Sequence, residues 1–443
     1  MIGSILIANR GEIAVRVVRA CKDLGIRAVV AYSQADADTL AVKLADEAVC
    51  IGPAPTQESY LNSKNIIVAA CLKRCDAIHP GVGFLSENAA FAKAVEDAGL
   101  IFIGPRSETI ALLGNKVEAR KAALAAGLPI TPGSKEAIAD LADGKRNASQ
   151  IGYPIILKAS SGGGGRGMRI VRKESELEAA LALARKEAKL FFGDDAVHME
   201  RFLEQPRHLE IQLLSDGKGT VLHLGERDCS VQKNHQKLLE ESPSPILSES
   251  LRSAMCEDSV RLFQELGYRG AGTVEYLVEG SSYYFMEVNA RLQVEHPVSE
   301  LVSRFDLVRA QIEIAQGKSL SLSQKDVQLS GYALECRING LSAGRIEKFV
   351  MPSGPHVRVD TYLEAGSVLS PYYDSLIAKI IIWAPSREQG LSVMQRALAE
   401  VEIEGVKTNL EEQKLLIACR PFSSGRFGTD LYAKVCDQEK KHA

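Results

Sequence analysis

The first hundred residues alternate short β-branched runs with stretches of helical period, and that alternation leaves few folds open. Ile5 to Ala8 reads as a strand; Ile13, Val17, Ala20 and Leu24 recur at helix spacing; Gly25 stops the helix, and Ala28 to Ala31 resumes a strand. The pattern continues through Ala48 to Cys50, Ile66 to Leu72, Ala77 to His79, Phe91 to Ala98 with Gly99, and Ile101 to Ile103. Parallel strands joined by crossover helices satisfy it, giving an α/β layer with a covered sheet. The first strand–helix turn, Ala8-Asn9-Arg10-Gly11-Glu12, holds a single glycine. A dinucleotide fingerprint needs about three there, so an NAD-dependent dehydrogenase is not expected.

At 443 residues the chain has room for about two to four domains. Its 53 basic and 56 acidic side chains leave a net charge of -3, which gives no general attraction to nucleic acid or to an anionic membrane. No apolar run approaches the roughly 18 residues of a membrane span. The opening Ile5-Leu6-Ile7-Ala8 is cut off by Arg10 and Glu12 before it could form a signal-peptide core, so a cytoplasmic location is expected. Nine cysteines, scattered from Cys21 to Cys436, suit reduced thiols rather than a disulfide framework. Cys71 and Cys75 lie four apart on an expected helix, but no second pair of ligands at zinc spacing accompanies them.

From Ile155 the chain runs through a strand into Ser160-Ser161-Gly162-Gly163-Gly164-Gly165-Arg166-Gly167-Met168 and out through another strand. Such a glycine-rich hairpin lets backbone N–H groups wrap a phosphate, and Lys158, Arg166 and Arg169 add charge. It is no Walker loop, and taken alone it fits a flexible turn as well as a phosphate lid.

Thr273-Val274-Glu275-Tyr276 and Phe285-Met286-Glu287-Val288-Asn289 read as two strands meeting at Glu279-Gly280-Ser281-Ser282. Pairing Glu279 with Tyr283 around a three-residue loop sets Glu275 opposite Glu287. Opposed carboxylates repel unless a cation compensates, and a divalent ion such as Mg²⁺, with Asn289 adding an oxygen, would do so; a solvated sheet face is the alternative. Beyond Glu287 every second residue is polar: Asn289, Arg291, Gln293 and Glu295, with Met286, Val288, Ala290, Leu292 and Val294 between them. A strand so patterned would present a dense row of groups for anion and metal chemistry until Pro297 ends it.

At these residues the chain resembles the biotin carboxylases of the ATP-grasp superfamily, and the resemblance runs through essentially its whole length. It is carried by Ile7-Ala8-Asn9-Arg10-Gly11-Glu12-Ile13-Ala14, by His79-Pro80-Gly81 through Phe84-Leu85-Ser86-Glu87-Asn88, and by the glycine hairpin. Glu226-Arg227-Asp228-Cys229-Ser230, His235-Gln236-Lys237, Arg291 through Gln293-Val294-Glu295-His296-Pro297, Glu335-Cys336-Arg337-Ile338-Asn339 and Tyr372-Tyr373-Asp374-Ser375 complete it.

The resemblance implies an α/β and α+β molecule with the ATP-grasp fold. A Rossmann-like N-terminal (pre-ATP-grasp) domain would span residues 1–113 and an ATP-grasp domain 114–330, including a mobile glycine-rich lid at 131–202. A C-terminal α+β domain would span 331–443. It implies ATP-dependent carboxylation of biotin on a biotin carboxyl carrier protein, with bicarbonate as carbon source and carboxyphosphate as intermediate. This is the first half-reaction of acetyl-CoA carboxylase or a related enzyme. Glu275, Glu287 and Asn289 would hold Mg²⁺ or Mn²⁺. Lys116 and Lys158 would contact ATP phosphates, with Gly164 and Gly165 in the lid above, and adenine would lie against Glu200 to Leu203. His208, Gln232 and His235 resemble nucleotide-pocket positions, while Lys237, Arg291, Gln293 and Val294 resemble a bicarbonate site. Glu295 resembles the base that deprotonates bicarbonate, and Arg337 the group that stabilises the biotin enolate. A separate carrier chain and a carboxyltransferase subunit are expected, because the chain carries neither a Met-Lys-Met tripeptide nor room for a transferase; the resemblance implies a homodimer as well. Two alternatives stay open: another ATP-grasp carboxylate–amine ligase, which leaves His235-Gln236-Lys237 and Arg337 unexplained, and a nucleotide-binding regulatory homologue with little turnover.

The chain departs from the family pattern in the short segment from Gly340 to Val350, and at Val82, where the family usually carries tyrosine near the biotin end of the site. Losing an aromatic face and a hydroxyl is expected to weaken capture of free biotin by a few-fold to about tenfold, the worth of one hydrogen bond; the alternative is that Val82 only packs in its loop and changes nothing. Val82→Tyr is therefore expected to lower the KM for free biotin and to leave those for ATP and bicarbonate alone. Steady-state kinetics varying each substrate in turn checks this, and a parallel shift of all three constants refutes it.

Overall fold

Parallel pairing accounts for the N-terminal alternation in the computed structural model, which describes residues 2–134, 136–159, 168–192 and 195–439. The sheet is ordered Glu47–Gly52, Arg27–Ser33, Ser4–Ile7, Ala77–His79, Ile101–Phe102, every neighbouring pair parallel. Helix Gly11–Asp23 buries Ile13, Val17 and Ala20, and Gly25 takes the left-handed conformation (φ +67°) that ends it. The two cysteines expected on one helix do not share it. Helix Ser63–Leu72 stops after the exposed Cys71; the chain turns at Arg74 (φ 51°), and Cys75 is buried beyond the turn.

The larger part of the molecule is built on an eight-stranded antiparallel sheet. Its order is Ser282–Asn289, Arg269–Glu279, Arg207–Asp216, Val221–Lys233, Gln236–Ser242, Tyr332–Asn339, Leu376–Ala384, Val357–Thr361. One apolar core joins the two sheets, running from Ile13 and Val17 to Leu334, Cys336, Ile338, Ile380 and Ile382. A small antiparallel sheet of Arg169–Val171, Ile155–Ala159 and Val197–Arg201 packs with helix Glu174–Phe192 around a separate core of Ile155, Leu157, Leu177, Leu181, Val197 and Met199. The glycine run between its first two strands, with Gly164 and Gly165, lies outside the described residues. In the divergent segment Gly340 to Val350, Gly344–Arg345 pairs with Val368–Leu369 and Lys348–Val350 with Glu402–Glu404. Among the described residues no helix is long and apolar enough to cross a membrane.

A buried lysine ties the two sheets together. Lys379, fully buried on Leu376–Ala384, places Nζ 3.1 Å from Glu12 of the first helix and 3.6 Å from Asp360, and donates to the Val294 carbonyl at 2.7 Å. Burial raises the pKa of Glu12, and Lys379, with a smaller contribution from Arg358, opposes the rise. Lys379→Met strands Glu12 without its cation, a loss that typically costs about 3–5 kcal/mol. The melting temperature is expected to fall by several degrees; one equal to that of the parent chain refutes the strut.

Candidate active site

The opposed carboxylates form at the edge of the eight-stranded sheet, by a route different from the expected one. The hairpin closes with two loop residues, Gly280 and Ser281, so Glu279 pairs with Ser282 and not with Tyr283. A register shift between Glu275 and Tyr276 then absorbs Met286 as an extra residue and restores the pairing of Glu275 with Glu287. The polar row beyond them is likewise not one strand. Pairing ends at Asn289, and Glu295 stands at the residue before helix His296–Ser303 with its carboxylate turned away from the helix end, while the early Pro297 suits a first turn rather than terminating a strand. Met286 is 39% exposed, while Val288, Ala290 and Leu292 are buried.

Side-chain chemistry, more than strand alternation, draws these groups together. The Lys237 ammonium donates to Glu210 Oε2 at 2.6 Å, Glu295 Oε1 at 2.7 Å and Glu275 Oε1 at 2.9 Å, which uses all its N–H groups on carboxylates from three parts of the fold. Glu275 Oε1 also accepts from Asn289 Nδ2 and Gln293 Nε2, each at 2.8 Å. His208 Nε2 stands 2.8 Å from Glu275 Oε2, and His208 Nδ1 lies 2.7 Å from Gln232 Nε2. Arg337 Nη2 lies 2.5 Å from Glu240 Oε1 and donates to Glu295 Oε2 at 2.8 Å. Burial works against the charge of Glu275 and Glu295, yet Lys237, helped by His208 at the first and by Arg337 and Arg227 at the second, holds both carboxyls well below the usual range. At Glu240 burial prevails over Arg337 and raises the pKa to about 7.

A cleft of about 1270 Å³ collects His208, Gln232, His235, Lys237, Glu275, Glu287, Asn289, Arg291, Gln293, Val294, Glu295 and Arg337, with Val82 also on its wall. The conformation of the Val82 loop is set by Asn9, whose Nδ2 donates to the carbonyls of Pro80 (2.6 Å) and Val82 (2.8 Å). Gly81 is required between them, since its φ is +65° and a Cβ would stand 2.8 Å from the Asn9 side chain. Four expected nucleotide contacts do not line this cleft. Lys158 and Glu200 pair with each other at 2.5 Å on the small sheet, Leu203 is buried just beyond it, and Lys116 opens helix Lys116–Ala125. Arg291 is held at the cleft by Glu87 Oε2 (2.8 Å) and donates to Asn289 Oδ1 (3.0 Å). Glu210 and Glu240 received no role from the sequence, although the alternation His208, Glu210, Gln212 against Leu209, Ile211, Leu213 was there to be read.

The donor set fits a divalent cation. Even with Glu240 set aside, Glu87, Glu210, Glu275, Glu287 and Glu295 outnumber Lys237, Arg227, Arg291 and Arg337, leaving excess negative charge. Glu287 has no hydrogen-bond donor among the described residues; burial and the facing Glu275 raise its pKa, while Lys116 opposes the rise. Hard oxygen ligands with surplus negative charge suit Mg²⁺. Glu275 and Asn289 are engaged by protein partners, the Asn289 carbonyl oxygen by Arg291.

A parallel N-terminal sheet, an antiparallel sheet bearing opposed carboxylates, and a separate small antiparallel sheet together define an ATP-grasp protein. Residues 1–110 match the model of the biotin carboxylase N-terminal domain, 115–323 that of the carbamoyl-phosphate synthase L chain ATP-binding domain, and 339–434 that of the biotin carboxylase C-terminal domain. The biotin carboxylase of Haemophilus influenzae is 48% identical over 440 residues, covering 98% of each chain. The biotin carboxylase of Campylobacter jejuni, solved with β,γ-ATP, has a TM-score of 0.90 at 43% identity, covering 98% of this chain and 99% of that one. The biotin carboxylase domain dimer of the Hydrogenobacter thermophilus 2-oxoglutarate carboxylase, solved with MgADP, ADP and bicarbonate, has a TM-score of 0.88 at 43% identity, covering 98% of each chain. The chain belongs to the biotin carboxylase family of ATP-dependent ligases.

The opposed carboxylates are not equivalent. Glu287→Gln removes like-charge repulsion of about 0.2–1 kcal/mol without stranding a cation, so metal-free stability is expected to hold or rise while Mg²⁺ binding weakens. Glu275→Gln takes one of its carboxylates from buried Lys237 and is expected to destabilise, up to about 3–5 kcal/mol. Thermal melts with and without Mg²⁺ check this; equal destabilisation of both variants refutes the distinction.

Proposed function

We propose that the chain is the biotin carboxylase component of a biotin-dependent carboxylase, using ATP and bicarbonate to carboxylate biotin on a separate carrier protein. The observation that carries it is the cluster of Lys237, Arg291, Gln293 and Glu295 beside the opposed carboxylates, an anion pocket adjoining a metal face. In this reading bicarbonate sits between Lys237, Arg291, Gln293 and the Val294 backbone. Glu295 takes its O–H proton, and the freed oxygen attacks the γ-phosphorus of ATP as ADP leaves. Glu275, Glu287 and Asn289 hold Mg²⁺ or Mn²⁺, which when bound neutralises phosphate charge. Lys116, Lys158 and the lid glycines Gly164 and Gly165 embrace the phosphates, while His208, Gln232, His235 and the stretch from Glu200 to Leu203 bind the nucleoside. After carboxyphosphate releases CO2, the phosphate takes the ureido proton of biotin, and Arg337 stabilises the enolate that attacks CO2.

The proposal extends to domains at 1–113, 114–330 with a lid at 131–202, and 331–443, and to a cytoplasmic homodimer served by carrier and carboxyltransferase subunits. The dimer described for the Hydrogenobacter thermophilus domain supports that assembly.

ATP hydrolysis by the chain is expected to require bicarbonate and Mg²⁺ and to be raised by free biotin; phosphate release indifferent to bicarbonate refutes the reading. Glu295→Ala is expected to abolish even biotin-independent hydrolysis, by a factor on the order of 10² or more. Arg337→Ala is expected to lose mainly carboxybiotin while retaining ATP cleavage. Equal loss of both activities in both variants overturns the division.

A further inference from the structure

The segment Glu226-Arg227-Asp228-Cys229-Ser230 helps carry the family resemblance, yet none of its residues lines the cleft. Arg227 is fully buried behind the cleft floor, with each of its five N–H groups directed at an acceptor. Nε donates to Glu210 Oε1 at 2.5 Å; Nη1 donates to Gln212 Oε1 at 2.7 Å and to Ser299 Oγ at 2.9 Å. Nη2 donates to Gln293 Oε1 at 2.8 Å and to Thr273 Oγ1 at 3.4 Å. One guanidinium thus joins strand Arg207–Asp216, strand Arg269–Glu279, the loop carrying Gln293, and helix His296–Ser303.

Two of these contacts decide what the cleft presents to an anion. The oxygen and nitrogen of a glutamine amide are nearly the same size, so its direction is set by its partners. Because Arg227 holds Gln293 Oε1 from behind, Nε2 faces the acidic side of the cleft, where it donates to Glu275 at 2.8 Å. Were the amide reversed, its carbonyl would face an incoming anion and repel it. Glu210 is bridged in the same way, with Oε1 on Arg227 and Oε2 on Lys237, so the guanidinium fixes the carboxylate that anchors the Lys237 ammonium.

We propose that Arg227 is a positioning residue for the anion pocket, acting through Gln293 and Glu210 to turn an amide N–H and the Lys237 ammonium toward bound bicarbonate. The inference rests on the carboxylase reading. Lysine cannot replace Arg227: an ammonium offers three donors from one point, where the guanidinium spreads five in a plane over acceptors on four elements.

The test is bicarbonate-dependent ATP hydrolysis by the full chain, with KM measured for bicarbonate and for MgATP. In Arg227→Lys the bicarbonate KM is expected to rise about tenfold while the MgATP KM stays within about twofold. Gln293→Ala is expected to raise the bicarbonate KM as well, and the double variant Arg227→Lys with Gln293→Ala to fall clearly short of the product of the two single effects, because both remove the oriented Gln293 amide. If Arg227→Lys does not fold, Arg227→Gln combined with Glu210→Gln replaces the buried ion pair by two amides. Its bicarbonate KM is expected to exceed that of Glu210→Gln alone. An unchanged bicarbonate KM, a parallel rise in both constants, or full additivity with Gln293→Ala reduces Arg227 to a structural residue and overturns the inference. Wild-type hydrolysis that ignores bicarbonate defeats the carboxylase reading itself, a failure distinct from these.

Discussion

The ammonium of Lys237 is the interaction on which the site depends. Three carboxylates from separate parts of the chain, Glu210, Glu275 and Glu295, would repel one another in a buried cleft, and desolvation works against the charge of Glu275 and Glu295. One cation whose donors reach all three reverses that balance. Burial opposes the charge of Lys237, yet Glu210 and Glu295 raise its pKa well above the lysine norm, so cation and carboxylates keep each other ionised. The antiparallel sheet makes this possible by setting Glu210 opposite Glu275 on neighbouring strands, with Lys237 reaching them from a third. The fold thereby stores charge where charged substrates must be handled.

What the sequence revealed, and what it hid, follows from the range of the forces involved. Alternation over short windows located the parallel layer because each of its strands and helices buries an apolar set that repeats with its own local period. The pairing of Glu275 with Glu287 was legible too, but for an incomplete reason: a two-residue turn and an absorbed Met286 reach the register that a three-residue turn would have given. The row from Asn289 to Glu295 looked like a strand because its polar residues alternate. In the molecule their convergence comes from hydrogen bonds that cross between elements, such as Gln293 to Glu275 and Lys237 to Glu295. Neighbours of that kind leave no local period. For the same reason Glu240 and the Lys379 strut drew no notice; the partners that give them meaning, Arg337 for the one and Glu12 for the other, lie far away along the chain.

Glu295 poses the remaining physical problem, because the group that resembles the base is held as a very stable anion. Lys237 and Arg337 both touch it, and a carboxylate with its pKa so depressed accepts a proton poorly. The resolution lies in the other duties of those cations. Arg337 is already shared with Glu240, and Lys237 is shared with Glu210 and Glu275, so neither belongs to Glu295 alone. An anion entering beside Lys237 competes for the ammonium. That competition weakens a positive partner of Glu295 and raises its basicity when the anion is in place. A base that is weak in the empty cleft and stronger in the filled one couples proton removal to occupancy, and Lys237 provides that coupling because its donors are divided among three acceptors.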